Sequence, residues 1–440
     1  MWSLCAVVLA VGLLTVMIAW GRVQPLLAFV MAAMVAALML GVPAARIPGA
    51  IEKGIGDLLG SLVVVICVGA VFGKLIADSG AARRIAASLI GALGQGGMPI
   101  AMTVTGFVVG LPLYYNVGFV LMIPLIFSLV AQSGRPAVAL GMPLLAGLSI
   151  AHGFLPPHPS PTALVAAVHA DMGTTLLYGL VVAVPTLLIA GPLFAMTLKG
   201  IRAEPAAVFR GAPASGPQHD HALPGTFVSV FTALLPVGLL GAFTLATLLR
   251  PALAQPLAFF ANPLVVMLAS YLVAIFTLGL GRGMTLAEVM GSAQEALREI
   301  APILLIIAGA GALKQVLTEA GVSAQLGVQL ASLPVPPLLL GWAVATLIRV
   351  CLGSATVAGV TAAGVVGPLV ESSGVNPNLM VLAVGAGSLM FSHVNDSAFW
   401  MFKEYFGLSL KDTFRSWTMM ETLVGIFGIL FVLLLSLFVG

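Results

Sequence analysis

Hydropathy along the 440-residue chain alternates between long apolar blocks and a few interrupted ones. Uninterrupted blocks occupy residues 3–20, 25–43, 61–77, 174–197, 226–249, 263–281, 301–317 and 417–439. Each approaches the roughly 20 residues a helix needs to cross a hydrocarbon core of about 30 Å, so each predicts a transmembrane helix. Between the third and fourth blocks the pattern changes. Residues 100–111 and 117–130 are apolar but short, and they flank the polar tip Pro112-Leu113-Tyr114-Tyr115-Asn116. Two half-length helices around such a tip predict a re-entrant hairpin. Residues 138–151 form a further half span that ends at HGFLPPHPSPTALVAAVHAD, residues 152–171, within which 163–170 completes the crossing. This predicts a discontinuous helix. Unpaired backbone groups are too costly in hydrocarbon, so an interruption this polar must be enclosed by protein or line a water-filled cavity. Two mixed segments lie outside the blocks: 46–60, with Glu52, Lys53 and Asp57, reads as interfacial, and 284–298, with Glu288, Glu295 and Arg298, as a surface helix.

The order of elements recurs in the second half. Gly80 closes DSG and Gly321 closes EAG, an offset of 241 residues; at that offset GSLVVVICVGAVFG (from Gly60) lies over APILLIIAGAGALK (from Ala301), His152 over His393 and Asp171 over Asp412. A second hairpin is predicted from 342–351 and 357–370 around Gly353-Ser354-Ala355-Thr356, and a second half span, 378–392, breaks at His393-Val394-Asn395-Asp396-Ser397. At this break an offset of 235 matches the chemistry better, setting His158, Ser160 and Thr162 over His393, Asn395 and Ser397. The two registers differ by a six-residue gap, and both stay open. If hairpins do not cross, the unit that starts at residue 61 makes five crossings before its copy starts at 301, and an odd number inverts the copy. Inverted units with paired interruptions are the pattern of secondary transporters, whose substrate sits at the midplane where the interruptions meet. The predicted fold is an all-α polytopic membrane protein with two inverted repeats, re-entrant hairpins and discontinuous helices. Residues 1–60 hold peripheral helices and an interface segment, 61–198 the first repeat core, 199–225 a hydrophilic linker, 226–300 connecting helices and a surface helix, and 301–440 the second repeat core.

Composition excludes most other classes. Hydrophobic residues make up 60% of the chain and charged ones 8%, with a mean hydropathy of +1.15, whereas soluble domains carry about 25% charged residues. A net charge of +3 gives no nucleic-acid footprint. Cys5, Cys67 and Cys351 lack metal-like spacing and read as packing residues. The first block has no basic residue before it and another span follows directly, so it reads as a retained helix rather than a cleaved signal. Lys199, Arg202 and Arg210 favour a cytoplasmic linker, and His219-Asp220-His221 within it resembles a metal tract but reads as surface spacing, two ligands on a loop being weak evidence for a site.

Four stretches carry a family resemblance: AMTVTGFVVGLPLYYNVGFVLMIPLIFSL; HGFLPPHPSPTALV with ADMGTTLLYGLVVAVP; RVCLGSATVAGVTAAGVV; and SLMFSHVNDSAFWMFKEYFGLSLKDTFRSWTMMET. In order, and over nearly the whole chain, they resemble the gluconate permease family, the gluconate:proton symporters of the ion-transporter superfamily. The resemblance implies a bacterial inner-membrane protein that imports gluconate, a related sugar acid or D-serine with protons, by alternating access. It implies no cofactor beyond the coupling proton, and a homodimer would fit the superfamily.

Binding a sugar acid needs donors for one carboxylate and neutral groups for several hydroxyls, and helix N-termini at a break supply N–H groups and a favourable dipole. Ser160, Thr162, Ser354, Thr356, Asn395 and Ser397 sit at the breaks and the second tip, with His158 beside them and Asn116 at the first tip. These are the candidate substrate residues; the competing reading is that they only cap broken helices. Arg349 stands in an apolar helix, where a charge is costly unless paired or facing a cavity; it either holds the substrate carboxylate, or snorkels to the headgroups or pairs within the protein. Proton coupling needs a titratable group linked to the site: Asp396 first, then His393 and His158, with Glu421 in the last span as an outside candidate. His152 reads as a capping or packing residue, and Lys74 and Lys314 as interface or packing charges. Rival readings are a D-serine or short hydroxy-acid symporter, a passive channel and an intramembrane enzyme, although no HExxH or GxSxG arrangement is present.

Overall fold

The computed structural model describes residues 2–94, 96–113, 115–201, 203, 223–321, 334–394 and 396–439, and every regular element within them is helical. Tyr114, Asn395, Arg202, Arg210 and the His219–His221 tract therefore lie outside the described residues, as does the side chain of Asn116. Among the described residues, eight helices are long and apolar enough to cross a membrane.

Two peripheral helices, α1 (Trp2–Ala19) and α2 (Pro25–Met39), lead into α3 (Ile47–Asp78) and α4 (Ala81–Leu93). The interfacial segment expected at 46–60 is the start of α3, which runs unbroken for 32 residues. Ala50, Gly54 and Leu58 recur at helical spacing on its buried face, while Lys53 and Asp57 form an exposed i,i+4 pair. The same correction applies at 284–298. That segment and the span after it form one helix, α12 (Leu286–Glu319), opened by a capping box between Thr285 and Glu288. Val289, Ser292, Ala296 and Ile300 carry its buried stripe through the charged portion.

Between these long helices lie a hairpin, α5 (Met98–Gly110) with α6 (Tyr115–Ser133), and a broken helix, α7 (Ala137–Phe154) with α8 (Pro159–Ala167). Then come α9 (Met172–Leu188), which continues through a π-turn, α10 (Thr226–Leu249) and α11 (Pro263–Ala274). After α12 the order returns: a hairpin, α13 (Pro337–Leu352) with α14 (Ala355–Ser373), a broken helix, α15 (Pro377–Leu389) with α16 (Ser397–Phe406), and a closing helix, α17 (Met419–Val439). The 13 residues of α5 span about 20 Å, too little for a crossing. Pro156 and Pro157 stop α7 because neither has an N–H to donate.

Among the described residues the most extensively packed helix pair is α3 with α12, and the two run antiparallel: Gly54 meets Gly311 near one end, and Lys74 meets Glu295 and Glu299 near the other. A Cβ on either glycine would collide with the other's carbonyl, so only glycine permits this approach. Side-chain bonds fix the two ends of the bundle. At the linker end Arg84 donates to the carbonyls of Leu223 and Pro224. At the opposite end Arg46 pairs with Glu319 at 4.0 Å, the Asp171 amide donates to Asn378, and Asn376 donates to the Val439 carbonyl. Following the chain from these anchors, the hairpin α5–α6 enters from the linker end and α13–α14 from the opposite end. Gly80 and Gly321, the pair that set the sequence offset, both take positive φ, 77° and 66°, after α3 and α12 respectively.

Candidate functional site

The second break and the second hairpin tip meet on a cavity of about 830 Å³. Its floor is built around Asp396. This residue caps α16, its Oδ1 accepting from the Ala398 amide at 2.9 Å, and its Oδ2 accepts from Ser392 Oγ and from Arg349 Nη2. Arg349 reaches it from the last turn of α13, where Gly353 in the left-handed region (φ 75°) ends the helix and turns the chain into Ser354. Ser354 then caps α14. Arg349 and Asp396 are both buried, so the sequence alternative of an arginine snorkelling to headgroups is set aside in favour of an internal ion pair.

A π-turn at Phe414–Thr418 locks the break in place. It carries Trp417, whose Nε1 donates to Ser392 Oγ at 2.7 Å, and Thr418, whose hydroxyl donates to the Ser392 carbonyl. Such turns recur at functional sites because the extra residue re-aims side chains within a continuous helix. One turn of helix further on, Glu421 is 2% exposed and accepts from Ser149 Oγ of α7 at 2.6 Å. His152, one turn beyond Ser149, lies 6.3 Å from the Tyr115 ring and 5.4 Å from that of His158, between ring centroids.

The cavity lining includes Arg349, Ser354, Thr356, Asp396, Ser397 and Glu421, all from the sequence-derived set. It also includes Tyr115, Ser149, His152 and Trp417, and, from the long helices, Lys74, Asp78 and Glu299. Other candidates lie elsewhere. Ser160 and Thr162 are buried on α8, with Ser160 against α14 at Gly359. His158 is buried with Nε2 on the Gly110 carbonyl and borders a separate void of about 20 Å³. His393 turns its Nε2 to the Val350 carbonyl at 3.1 Å. His158, Ser160 and Thr162 of the first break are thus enclosed, while His152 at its start and the second break face the cavity. Lys314, read as a packing charge, donates to the Ala167 carbonyl at the end of α8, where a cation complements the helix dipole.

Two cations line the cavity, and they differ in what they have left to give. Lys74 is held by Glu295 at 3.1 Å, Asp78 at 3.8 Å and Glu299 at 3.9 Å. Arg349 has one carboxylate partner, and its Nε and Nη1 are buried without a hydrogen-bond partner among the described residues. Glu421 Oε2, His152 Nδ1 and the Tyr115 hydroxyl are unpartnered in the same sense. Buried polar groups are rarely left so. Donors on a guanidinium beside acceptors and hydroxyls are what a carboxylate carrying several hydroxyls would satisfy. Trp417 and Ser149 gave little sequence signal as site residues, since a single polar or aromatic residue in an apolar helix is usually packing, whereas Tyr115 stands at the polar tip of the first hairpin. Among the described residues no cluster of His, Cys, Asp and Glu could hold a metal ion.

Comparison with known proteins agrees in extent and in fold. The chain is 41% identical over 437 residues to the high-affinity gluconate transporter of Escherichia coli K12, covering 98% of this chain and 99% of that one. It is 44% identical over 413 residues to the gluconate permease of Bacillus subtilis 168, covering 92% of each. Its fold is that of the Alcanivorax borkumensis YdaH transporter, a structure described as having an unusual topology, with a TM-score of 0.68 at 17% identity over 95% of this chain and 98% of that one. The model of the GntP family permease matches residues 2–438. The chain therefore belongs to the GntP family of permeases and is a multi-pass membrane transporter, not an enzyme.

Proposed function

We propose that this protein imports gluconate or a closely related sugar acid across the bacterial cytoplasmic membrane, in symport with protons, by alternating access. The observation that carries the reading is Arg349, a buried guanidinium with Nε and Nη1 unpartnered among the described residues, in the wall of a cavity that also offers Ser354, Thr356, Ser397 and Glu421. The cavity's volume falls in the range of about 300–1,000 Å³ typical of small-molecule sites, and the names of the relatives indicate the substrate class. A proton-linked carrier also needs a titratable group at the site, and Asp396 and Glu421 both border it.

The two sets of hairpin, broken helix and closing helix are read as inverted repeats. Antiparallel α3 and α12, and hairpins entering from opposite ends, support this. Orientation follows from the basic residues. Arg83, Arg84, Arg135, Lys199, Arg282, Arg298, Lys403, Lys411 and Arg415 belong to the linker end, and Arg46, Lys53 and Arg250 to the other. Under the positive-inside rule the linker end is cytoplasmic. Lys74, Asp78 and Glu299 line the cavity towards that end, so its mouth is cytoplasmic and the conformation inward-open.

The test is uptake of radiolabelled gluconate into proteoliposomes with an imposed inward proton gradient. Unlabelled gluconate, fructuronate, glycerate and D-serine serve as competitors, and a protonophore as control. Concentrative uptake that the protonophore abolishes and gluconate inhibits best is the expected result. Strongest inhibition by D-serine or glycerate would move the substrate to the short-acid class, and downhill flux indifferent to the gradient would replace the symporter with a channel.

A further inference from the structure

Arg349 is the only guanidinium among the described residues that lines the cavity, and in this conformation a carboxylate of the protein already occupies it. A substrate carboxylate that docks on its free edge brings a second anion to one buried cation. Two carboxylates at such close range do not both stay ionised; they share or take up a proton. We propose that substrate and proton are coupled by exchange at Arg349: the substrate carboxylate takes the guanidinium from Asp396, and Asp396 takes the coupling proton. This deepens the symport reading above and rests on it.

The geometry allows the exchange without dismantling the site. Oδ1 of Asp396 stays on the Ala398 amide, so the residue keeps its capping position at the start of α16 whichever partner Oδ2 has. Ser392 Oγ, which donates to Oδ2, is itself fixed by Trp417 Nε1. Only the Nη2 contact changes hands. The other titratable groups facing the pair are Glu421 on α17, His152 on α7 and Tyr115 on α6, while His393, in the break itself, turns to the Val350 carbonyl. Glu421 Oε1 is engaged by Ser149, which leaves Oε2 as an acceptor for a substrate hydroxyl.

The charge balance makes the proposal specific. Before binding, the pair is Arg⁺ with Asp⁻; afterwards it is Arg⁺ with substrate carboxylate, beside a neutral Asp carboxyl. One proton enters with one monocarboxylate, and the loaded site carries the same charge as the empty one. Translocation then moves no net charge, and the gradient of pH, not the membrane potential, drives it.

Proteoliposomes with independently imposed pH gradient and valinomycin-set potential test this directly. With the interior alkaline and the potential clamped at zero, labelled gluconate accumulates, by about tenfold per pH unit for a one-to-one stoichiometry. With equal pH and the potential imposed alone, no accumulation occurs. Asp396→Asn retains an N-cap and a similar shape; it keeps exchange of internal for external gluconate but no longer accumulates in response to the pH gradient. Glu421→Gln, which alters an acceptor for the substrate, raises the KM for gluconate but still accumulates it in response to the pH gradient. Accumulation driven by the potential alone would overturn the exchange, because positive charge would then cross with the anion. Uphill uptake by Asp396→Asn, or uncoupling in Glu421→Gln instead, would also overturn it. If the wild-type protein exchanges gluconate but ignores both gradients, the symport reading itself fails and the exchange falls with it.

Discussion

At the scale of single residues, the site depends on shape as much as on charge. Arg349 offers a planar fork with donors to spare, whereas lysine would offer a compact ammonium with no second edge. Arg349→Lys therefore keeps Asp396 compensated but loses the two-pronged grip on a substrate carboxylate. Charged hydrogen bonds are worth about 1.5–3 kcal/mol, so the KM for gluconate uptake should rise by roughly ten- to a hundredfold. Folded yield should stay near that of the wild type, as checked by size-exclusion chromatography in detergent. An unchanged KM would place the carboxylate elsewhere. Arg349→Ala is a poorer probe, since an unpaired buried Asp396 costs several kcal/mol by itself. Arg349 and Asp396 were each legible in the sequence because charge inside an apolar helix or at a break demands an explanation. Their pairing was not, because 47 residues separate them and no local spacing connects them. Ser149 was invisible for the opposite reason: one hydroxyl in α7 looks like any helix serine until Glu421 is brought against it.

At the scale of elements, the interruptions were the most legible features. Prolines, histidines and hydroxyls within hydrocarbon leave few alternatives to a broken helix, and both breaks appear within a few residues of where the pattern puts them. Continuity was harder to read. Charges in 46–60 and 284–298 suggested separate surface pieces, yet α3 and α12 carry an apolar stripe straight through them and extend beyond a bilayer's thickness. That length supports a crossing that depends on two glycines. Gly311→Leu should force α12 off α3, because its first side-chain atom meets the Gly54 carbonyl. Overpacking typically costs about 1–3 kcal/mol, and rigid backbone on both sides argues for the upper end. Gly60→Leu, in the same pair of helices but with open space at its Cβ, is the matched control. A thermal-melt comparison in detergent should show a lowered midpoint for Gly311→Leu alone; equal midpoints would mean that the crossing is not tightly packed.

At the scale of the whole molecule, the asymmetry between the two breaks describes the conformational state. At the centre of the first break, from His158 to Thr162, the polar side chains are sealed: Ser160 and Thr162 are buried, and His158 borders a void with room for about one water. Around the second, Arg349, Asp396 and Ser397 face an open cavity. If the two units are the inverted repeats proposed above, exchanging these environments would turn one access state into the other. The sequence suggested both units but could not say which one was open, since that is a property of packing in one state and not of composition. Surface labelling tests the orientation and the state together. With Cys5, Cys67 and Cys351 replaced by serine, single cysteines at Gly200, Ser372 and Ile303 report on the linker end, the opposite end and the cavity wall. In intact cells a membrane-impermeant maleimide should label Ser372→Cys and spare Gly200→Cys, and in inverted vesicles the two should reverse. Ile303→Cys should label from the inverted side, and more slowly when gluconate is present, because occupancy both shields the wall and favours closure. Labelling of Ile303→Cys from the outside alone would mean that the cavity opens outward and that the basic residues misassign the membrane sides.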